Sequence, residues 1–437
     1  MNKSIPGVGF QKHITNFIDR FIQPLPESSV FDPTKIRPTE HLGVYIHIPF
    51  CKTECAFCAF SKERDSDGHR KERYVHALAG QIKRVAGLLP ENQIDWIYFG
   101  GGTPSALEPE QLRIILNSLR DFRNTHPHVS ITMEARVDNL GDRVLDQKAA
   151  GITRWSVGVQ TFDDAERKQY GLQLSAAEVI EGLRLFDENN LEYNIDLIFG
   201  GPGQTLAMWQ HTLAETMKIK PSEITTYMYM PLAGTDSWQK RGIKRDWREW
   251  KQKQFAMTTL LLDTMRENGY RQTDTFMFSR MKVEPEKVTP YADISMIASK
   301  TAILGLGQSA YSLLPHVIAV NPYDIDGFIE NEEKNGKTEY VGRTNDIVLK
   351  SLRNISRLTS MLSRQGAHRN NSLDDLRIFF TYCIWTEIYR IARNWNTLSP
   401  RVGYHTTPLS RHNKLAKNQA YQAHPKEMIA NHSVAED

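Results

Sequence analysis

From Leu42 to Tyr229 short β-rich runs alternate with helical patterns, and this rhythm restricts the possible folds more than any other property of the chain. The β-rich runs are Val44–Ile48, Ile94–Phe99, Val129–Met133, Trp155–Val159, Tyr193–Phe199 and Ile224–Tyr229. Between them lie helical patterns at Lys71–Leu89, Pro109–Phe122, Ala176–Glu188 and Met208–Ile219. In the second of these, Ile114, Ile115, Leu116, Leu119 and Phe122 recur at helical spacing. Strands separated by helices imply right-handed βαβ units and a parallel sheet. Six such runs suit an open, partial (β/α)6 barrel of the TIM-like kind better than a closed eight-fold one. In such barrels the reactive residues sit at strand carboxyl ends, where the βα loops begin.

With 437 residues, 40% of them hydrophobic, the chain can build one large core with appendages. The expected division is an arm over 1–41, the barrel over 42–237, an α/β extension over 238–343 and a tail over 344–437. The arm is broken by Pro24, Pro26, Pro33 and Pro38 and carries one short helical pattern near His13–Phe21. The extension opens with a charged helical stretch, Arg248–Asn268, and contains the run ILGLGQSAYS from Ile303 to Ser312. From Leu349 on, 13 Lys/Arg face 6 Asp/Glu, so the tail is basic while the rest of the chain is slightly acidic. Its amphipathic stretch Leu376–Ile391 reads as a helix, and beyond Ser399 the composition suits a solvated extension. A net charge of +3 creates no demand for nucleic acid or an anionic membrane. No run of about 18 apolar residues and no signal-peptide pattern is present, so a cytoplasmic protein is expected; for oligomeric state, which the sequence leaves open, the expectation leans to a monomer.

Of the four cysteines, three fall within eight residues, at Cys51, Cys55 and Cys58. That clustering does not suit a secreted disulfide framework and indicates a metal site in a reducing compartment. Thiolates are the ligands of cubane clusters. Cys-x3-Cys-x2-Cys lets one loop hold three irons and leaves the fourth open to bind and break a ligand. Zinc is the less favoured alternative, because a structural zinc wants four ligands and no fourth cysteine is close. His47 precedes the loop in a strand, with no indication of which way it points. Cys383 lies in an apolar helical pattern, YCIW, and reads as a core residue.

The run YIHIPFCKTECAFC from Tyr45 resembles the radical S-adenosylmethionine enzymes, and among them the oxygen-independent coproporphyrinogen III dehydrogenase (oxidase) family. That family also includes haem chaperones and class C radical methylases. The resemblance extends over about Leu42–Ser312 through GGGTP from Gly100, ITMEA around Glu134, GVQTF from Gly158, DLIFGGPGQT from Asp196 and the GLG run at Gly305. It implies a [4Fe-4S] cluster on Cys51, Cys55 and Cys58, and one or two molecules of S-adenosylmethionine. The open iron would chelate the cofactor's amino and carboxylate groups, so that an electron yields a 5′-deoxyadenosyl radical. A tetrapyrrole substrate and a flavodoxin or ferredoxin as electron donor are implied with it. Gly100, Gly101, Gly102 and Thr103 would meet the methionine end. Glu134 and Asp196 would take the ammonium and ribose hydroxyls, and Gln160 the ribose or carboxylate. Tyr45 matches a tyrosine that contacts the cofactors, Phe57 a phenylalanine against the adenine, and Met230 a backbone contact. Without the resemblance, Glu134 and Asp196 would read more simply as helix caps, and Tyr45 and Phe57 as packing residues.

Three departures bear on the reaction. Phe60 stands where the dehydrogenase has a fourth cysteine. Leu172 stands where the family has an arginine for the cofactor carboxylate, and Leu172 cannot make that contact. Arg167 is a nearby candidate to replace it, although a solvated helix position is the plainer expectation. The stretch YADISMIASKTAILGLG lacks the histidine that the haem chaperones carry before the GLG run. These departures leave three reaction classes open: propionate decarboxylation, methylation or other haem modification, and haem binding without turnover.

Overall fold

In the computed structural model the described residues are 42–58, 62–64, 68–89, 94–122, 125–141, 143–229, 247–273, 277–280, 302–314, 317–322, 324–334 and 340–343. The expected elements at His13–Phe21 and Leu376–Ile391, and the positions Phe60, Met230 and Cys383, lie outside them. Strands β1 (Leu42–Ile48), β2 (Ile94–Gly101), β3 (Thr125–Ala135), β4 (Arg154–Gln160), β5 (Glu192–Phe199) and β6 (Glu223–Met228) pair in that order, all parallel. Helices α1 (Gly68–Leu88), α2 (Pro109–Leu119), α3 (Arg143–Ala150), α4 (Asp164–Tyr170), α5 (Ala176–Glu188) and α6 (Leu206–Ile219) form the crossovers. The short helices α3 and α4 carry too few turns to show as a period in the sequence. Helix α7 (Trp247–Glu267) follows and leads to β7 (Tyr270–Gln272) and β8 (Met277–Arg280).

The GLG run is a strand. As β9 (Ala302–Leu306) it pairs parallel with β1 on the side away from β2, placing Gly305 opposite Tyr45. Strands β10 (Tyr311–Leu314), β11 (Val317–Val320) and β12 (Tyr340–Arg343) continue the sheet antiparallel, with helix α8 (Ile325–Glu333) between the last two. One sheet therefore runs β12-β11-β10-β9-β1-β2-β3-β4-β5-β6-β8-β7. Its outer strands do not pair with each other among the described residues, so the parallel part forms an open, partial barrel. No described helix is long and apolar enough to cross a membrane.

The two faces of this sheet differ in chemistry. Ile46, Ile48, Phe99, Met133, Val157, Ile195, Leu197 and Phe199 point toward the helices and join one apolar core. Since neighbouring strand residues alternate in direction, the intervening positions point to the inner face. Those positions are polar: Tyr45 and His47 on β1, Tyr98 on β2, Thr132 and Glu134 on β3, Arg154 and Ser156 on β4, Asn194 and Asp196 on β5. Trp96 and Tyr98 pack with Ile303 and Tyr45 at one side of that face. Gly43 allows this, because a Cβ there would lie 1.9 Å from the Trp96 ring.

Candidate functional site

The cysteine loop leaves the carboxyl end of β1 and folds against the turn after β2. Gly102 donates to Ile48 O at 2.8 Å, and Cys51 Sγ lies 3.3 Å from Thr103 Oγ1. Phe50–Cys51 pairs with Glu63–Arg64 in a two-strand ribbon, so both ends of the loop are fixed. Between them, Cys58 N donates to Cys55 O at 3.1 Å and Ala56 N to Tyr170 O at 2.9 Å. Lys62 Nζ adds a 3.0 Å bond to Cys58 O.

All three thiols are free, Cys51 buried and the other two half-buried. Burial raises the Cys51 thiol and pushes Cys55 up to about 11, neighbouring thiols add to both rises, and the Arg136 charge opposes them. Cys51 and Cys55, so raised, need a strong Lewis acid to become thiolate at neutral pH. No three His, Cys, Asp or Glu side chains among the described residues converge as a single ion requires. Three free thiols on one loop are ligands of the kind a cubane cluster takes. His47 lies on the inner face, with its Nδ1 3.1 Å from Tyr45 OH.

The glycine turn is built around the inner-face side chains. A Cβ on Gly100 would come within 2.7 Å of the Tyr45 ring and 3.1 Å of Glu134 Oε1. Gly101, at φ +122°, donates to Glu134 Oε2 at 3.1 Å, and a Cβ there would strike the His47 ring. A Cβ on Gly102 would lie 2.4 Å from Pro49 O, inside the cysteine loop's own backbone. Glycine is thus required for packing at each position.

Glu134 and Asp196 lie on the inner face of β3 and β5. Each keeps an edge reachable by solvent although protein surrounds the rest. Burial pushes Glu134 up to about 8, the Asp196 charge adds to the rise, and bonds from Gly101 N–H and the Tyr98 hydroxyl oppose it. Asp196 rises to about 6, again through burial. Ser156 Oγ donates to it at 3.0 Å and Asn194 Nδ2 at 2.8 Å, which fixes both oxygens. Asn194 is held in turn by Thr225 Oγ1 at 2.9 Å. Deeper in the sheet, Arg154 and Glu223 form a buried ion pair, with Nε 2.8 Å from Oε2. A pair of acids that burial makes reluctant to lose their protons is prepared to receive a cationic or hydroxyl-bearing ligand.

Gln160 ends β4 at φ +69°, beside a register shift between Gly158 and Gln160. A non-glycine residue in the left-handed region is a strained feature of the kind found at ligand sites. Phe57 packs edge-on against Tyr170, their centroids 5.3 Å apart, and Tyr170 stacks on Tyr229. Leu172 joins this apolar wall. Arg167 is buried and not solvated: its Nη1 donates to Val159 O and Thr161 O, and its Nε to Leu174 O. With those bonds made it anchors a turn and does not substitute for the missing arginine. A guanidinium that does reach the cysteine loop is that of Arg136, which the sequence reading passed over together with Tyr98, Ser156 and Asn194. The available signal was a polar residue at every second position of strands otherwise rich in Val, Ile and Phe.

Residues 45–215 match the radical SAM superfamily. This segment is a radical SAM domain. Such domains use a [4Fe-4S] cluster and S-adenosylmethionine, which the free cysteine trio and the acidic inner face fit. Over 337 residues the chain is 25% identical to the heme chaperone HemW of Buchnera aphidicola, covering 76% of this chain and 86% of that one. It is 26% identical over 317 residues to the oxygen-independent coproporphyrinogen III oxidase of Salmonella typhimurium, covering 70% and 69%. Over 199 residues, 44% of each chain, it is 35% identical to the anaerobilin synthase of Escherichia coli O157:H7. The solved coproporphyrinogen III oxidase of Escherichia coli shares the fold, with a TM-score of 0.66 at 19% identity over 86% of this chain and 98% of that one. The radical SAM domain thus occupies β1 to α6, and the shared fold continues past it into the extension.

Proposed function

We propose that the chain is a radical S-adenosylmethionine enzyme acting on a tetrapyrrole. The observation that supports this best is the glycine turn, bonded on one side to the Cys51–Cys55–Cys58 loop and on the other to Glu134, whose carboxyl feels the charge of Asp196. When bound, the cluster and cofactor supply one-electron, hydrogen-abstracting chemistry. In this reading Cys51, Cys55 and Cys58 hold the iron. Gly101 N–H is shared between Glu134 and the cofactor's methionine end, and Thr103 steadies Cys51. Glu134 and Asp196 take the ammonium and ribose hydroxyls, Gln160 adds an amide, and Phe57 with Tyr170 forms an apolar wall for the adenine. Tyr45, stacked at 6.3 Å on Tyr98, lies at the inner edge of the group and faces the substrate. A tetrapyrrole is the common element in the names of the relatives, an oxidase of coproporphyrinogen, a bilin synthase and a heme chaperone. A flavodoxin or ferredoxin would supply the electron.

A second reading, haem binding without turnover, is supported by the coverage of most of the length of HemW. Anaerobic reconstitution with iron, sulfide, dithionite and S-adenosylmethionine, followed by addition of coproporphyrinogen or haem and mass spectrometry, separates the two. Release of 5′-deoxyadenosine with loss of carbon dioxide identifies the oxidase reaction. A 14-dalton gain or an opened macrocycle identifies a haem-modifying enzyme. Stoichiometric haem binding with intact cofactor identifies a chaperone. If Cys51→Ala, Cys55→Ala and Cys58→Ala together left the iron content unchanged, the cluster assignment would be wrong.

A further inference from the structure

Arg136 follows the last residue of β3 and takes an extended conformation, its N–H bonded to Ser105 Oγ at 3.3 Å. One edge of its guanidinium is held by Asp138, with Nε 3.2 Å from Oδ1 and Nη2 2.8 Å from Oδ2. The other edge faces the cysteine loop, where Nη1 donates to Thr53 O at 3.3 Å and to Cys55 Sγ at 3.7 Å. Both side chains of the ion pair are largely buried, with exposures of 16% and 19%. A two-point pair of this kind fixes the plane of the guanidinium, so the direction of its remaining N–H groups is set by Asp138. The fork is therefore a built connection between a carboxylate and one particular sulfur.

We propose that Arg136 sets the reduction potential of the cluster through its hydrogen bond to Cys55, with Asp138 limiting the effect. This rests on Cys55 being a cluster ligand. A cluster on three thiolates becomes more negative when it accepts an electron. A cationic donor at one of its sulfurs favours that reduced state and raises the potential. Asp138 supplies opposite charge beyond the guanidinium and offsets part of this. Arg136 is accordingly a tuning residue and not a catalytic one, and it acts before any substrate is bound.

The opposite signs expected of the two partners provide the test. The full-length protein is reconstituted anaerobically, poised with dithionite and mediators, and its reduced cluster is read by electron paramagnetic resonance without substrate. For Arg136→Gln the ratio of reduced to oxidised cluster at fixed poise should fall about tenfold, a shift of about 59 mV for one electron. Asp138→Asn keeps the guanidinium, removes its counter-charge and should move the ratio the other way. Arg136→Lys, a point charge without the fork, should fall between wild type and Arg136→Gln. An unchanged potential in Arg136→Gln, or a shift of the same sign in both partners, would overturn the proposal. If Arg136→Gln fails to load iron, Asp138→Asn decides alone, since a lowered or unmoved potential there has the same force. A wild-type chain that assembles no cluster overturns the cluster reading itself.

Discussion

Two glycine runs flank β1, Gly100–Gly102 at the end of β2 and Gly305–Gly307 on β9 and just beyond it, and they serve different neighbours. In the first, added Cβ atoms would meet Tyr45, Glu134, the His47 ring and the backbone of Pro49. All of these belong to the site or to the cysteine loop. In the second, a Cβ on Gly307 would meet Tyr74 OH at 2.6 Å and His47 O at 2.7 Å. There Gly307 N donates to Gln81 Oε1, Gln308 N to Tyr74 OH, and Tyr74 OH to His47 O. Asn321, bonded to both Gln81 and Gly305 O, completes the set. One run makes room for chemistry, and the other lets helix α1 lock β9 onto β1. Similar sequence motifs thus divide into a site element and a scaffold element.

The largest expected effect tests the first half of that division. Gly102→Ala places a methyl group against the Pro49 carbonyl, and backbone cannot yield there as a flexible side chain could. The cysteine loop should shift, and reconstituted iron per chain should fall below half of wild type while the fold survives. Full iron loading in a folded variant would remove Gly102 from the site. Gly307→Ala is the counterpart. At φ +94°, with two contacts under 3.0 Å, it should lower stability by about 2–4 kcal/mol in a denaturant titration. The folded fraction should nevertheless load iron normally. If the two variants produced the same pattern, the comparison would fail.

Tyr74→Phe sharpens the scaffold half. The hydroxyl is buried, donates to His47 O and accepts from Gln308 N, so its removal takes one hydrogen bond from each. A loss of about 1–3 kcal/mol is expected. Cofactor affinity should hold, because the hydroxyl removed meets the site strand only at the His47 carbonyl, and the ring contact with Phe50 is kept. A large loss of cofactor binding in a stable variant would show that β9 belongs to the site after all.

These two roles were unequally legible in the sequence. The strand–helix alternation identified β1 to β6, the cysteine spacing marked the loop proposed to hold the cluster, and Glu134 and Asp196 stood out as acids at strand ends. All of these are local signals. The GLG run was visible as a motif, but its parallel pairing with β1 joins residues some 260 positions apart, which no local period records. Arg167 was misread for a related reason: on α4 it has an exposed residue's composition, and only the folding of Val159, Thr161 and Leu174 around it makes it buried. Arg136 continues the alternation of Thr132 and Glu134, but only the loop at Cys55 folded beside it shows what it serves.

The smallest effect concerns protons on the site side. Burial holds Glu134 near 8 in the ligand-free fold, far above the ordinary glutamate value of about 4.3 in an unfolded chain. The folded state therefore binds more protons than the unfolded state between those two values, and its stability contribution is lost as pH rises through that window. Glu134→Gln cannot titrate, so its denaturant midpoint should change less between pH 5 and pH 8 than that of the wild type. Asp196 adds a weaker trend of the same sign that ends near pH 6. A cation bound beside Glu134 should reverse the preference and release a proton. Calorimetric titration of S-adenosylmethionine at pH 7 in buffers of different ionisation enthalpy should then show proton release of up to about one per site, absent in Glu134→Gln. Proton uptake would mean that the ligand's positive end does not face Glu134, and the site half of the comparison would have to be rebuilt around Asp196 alone.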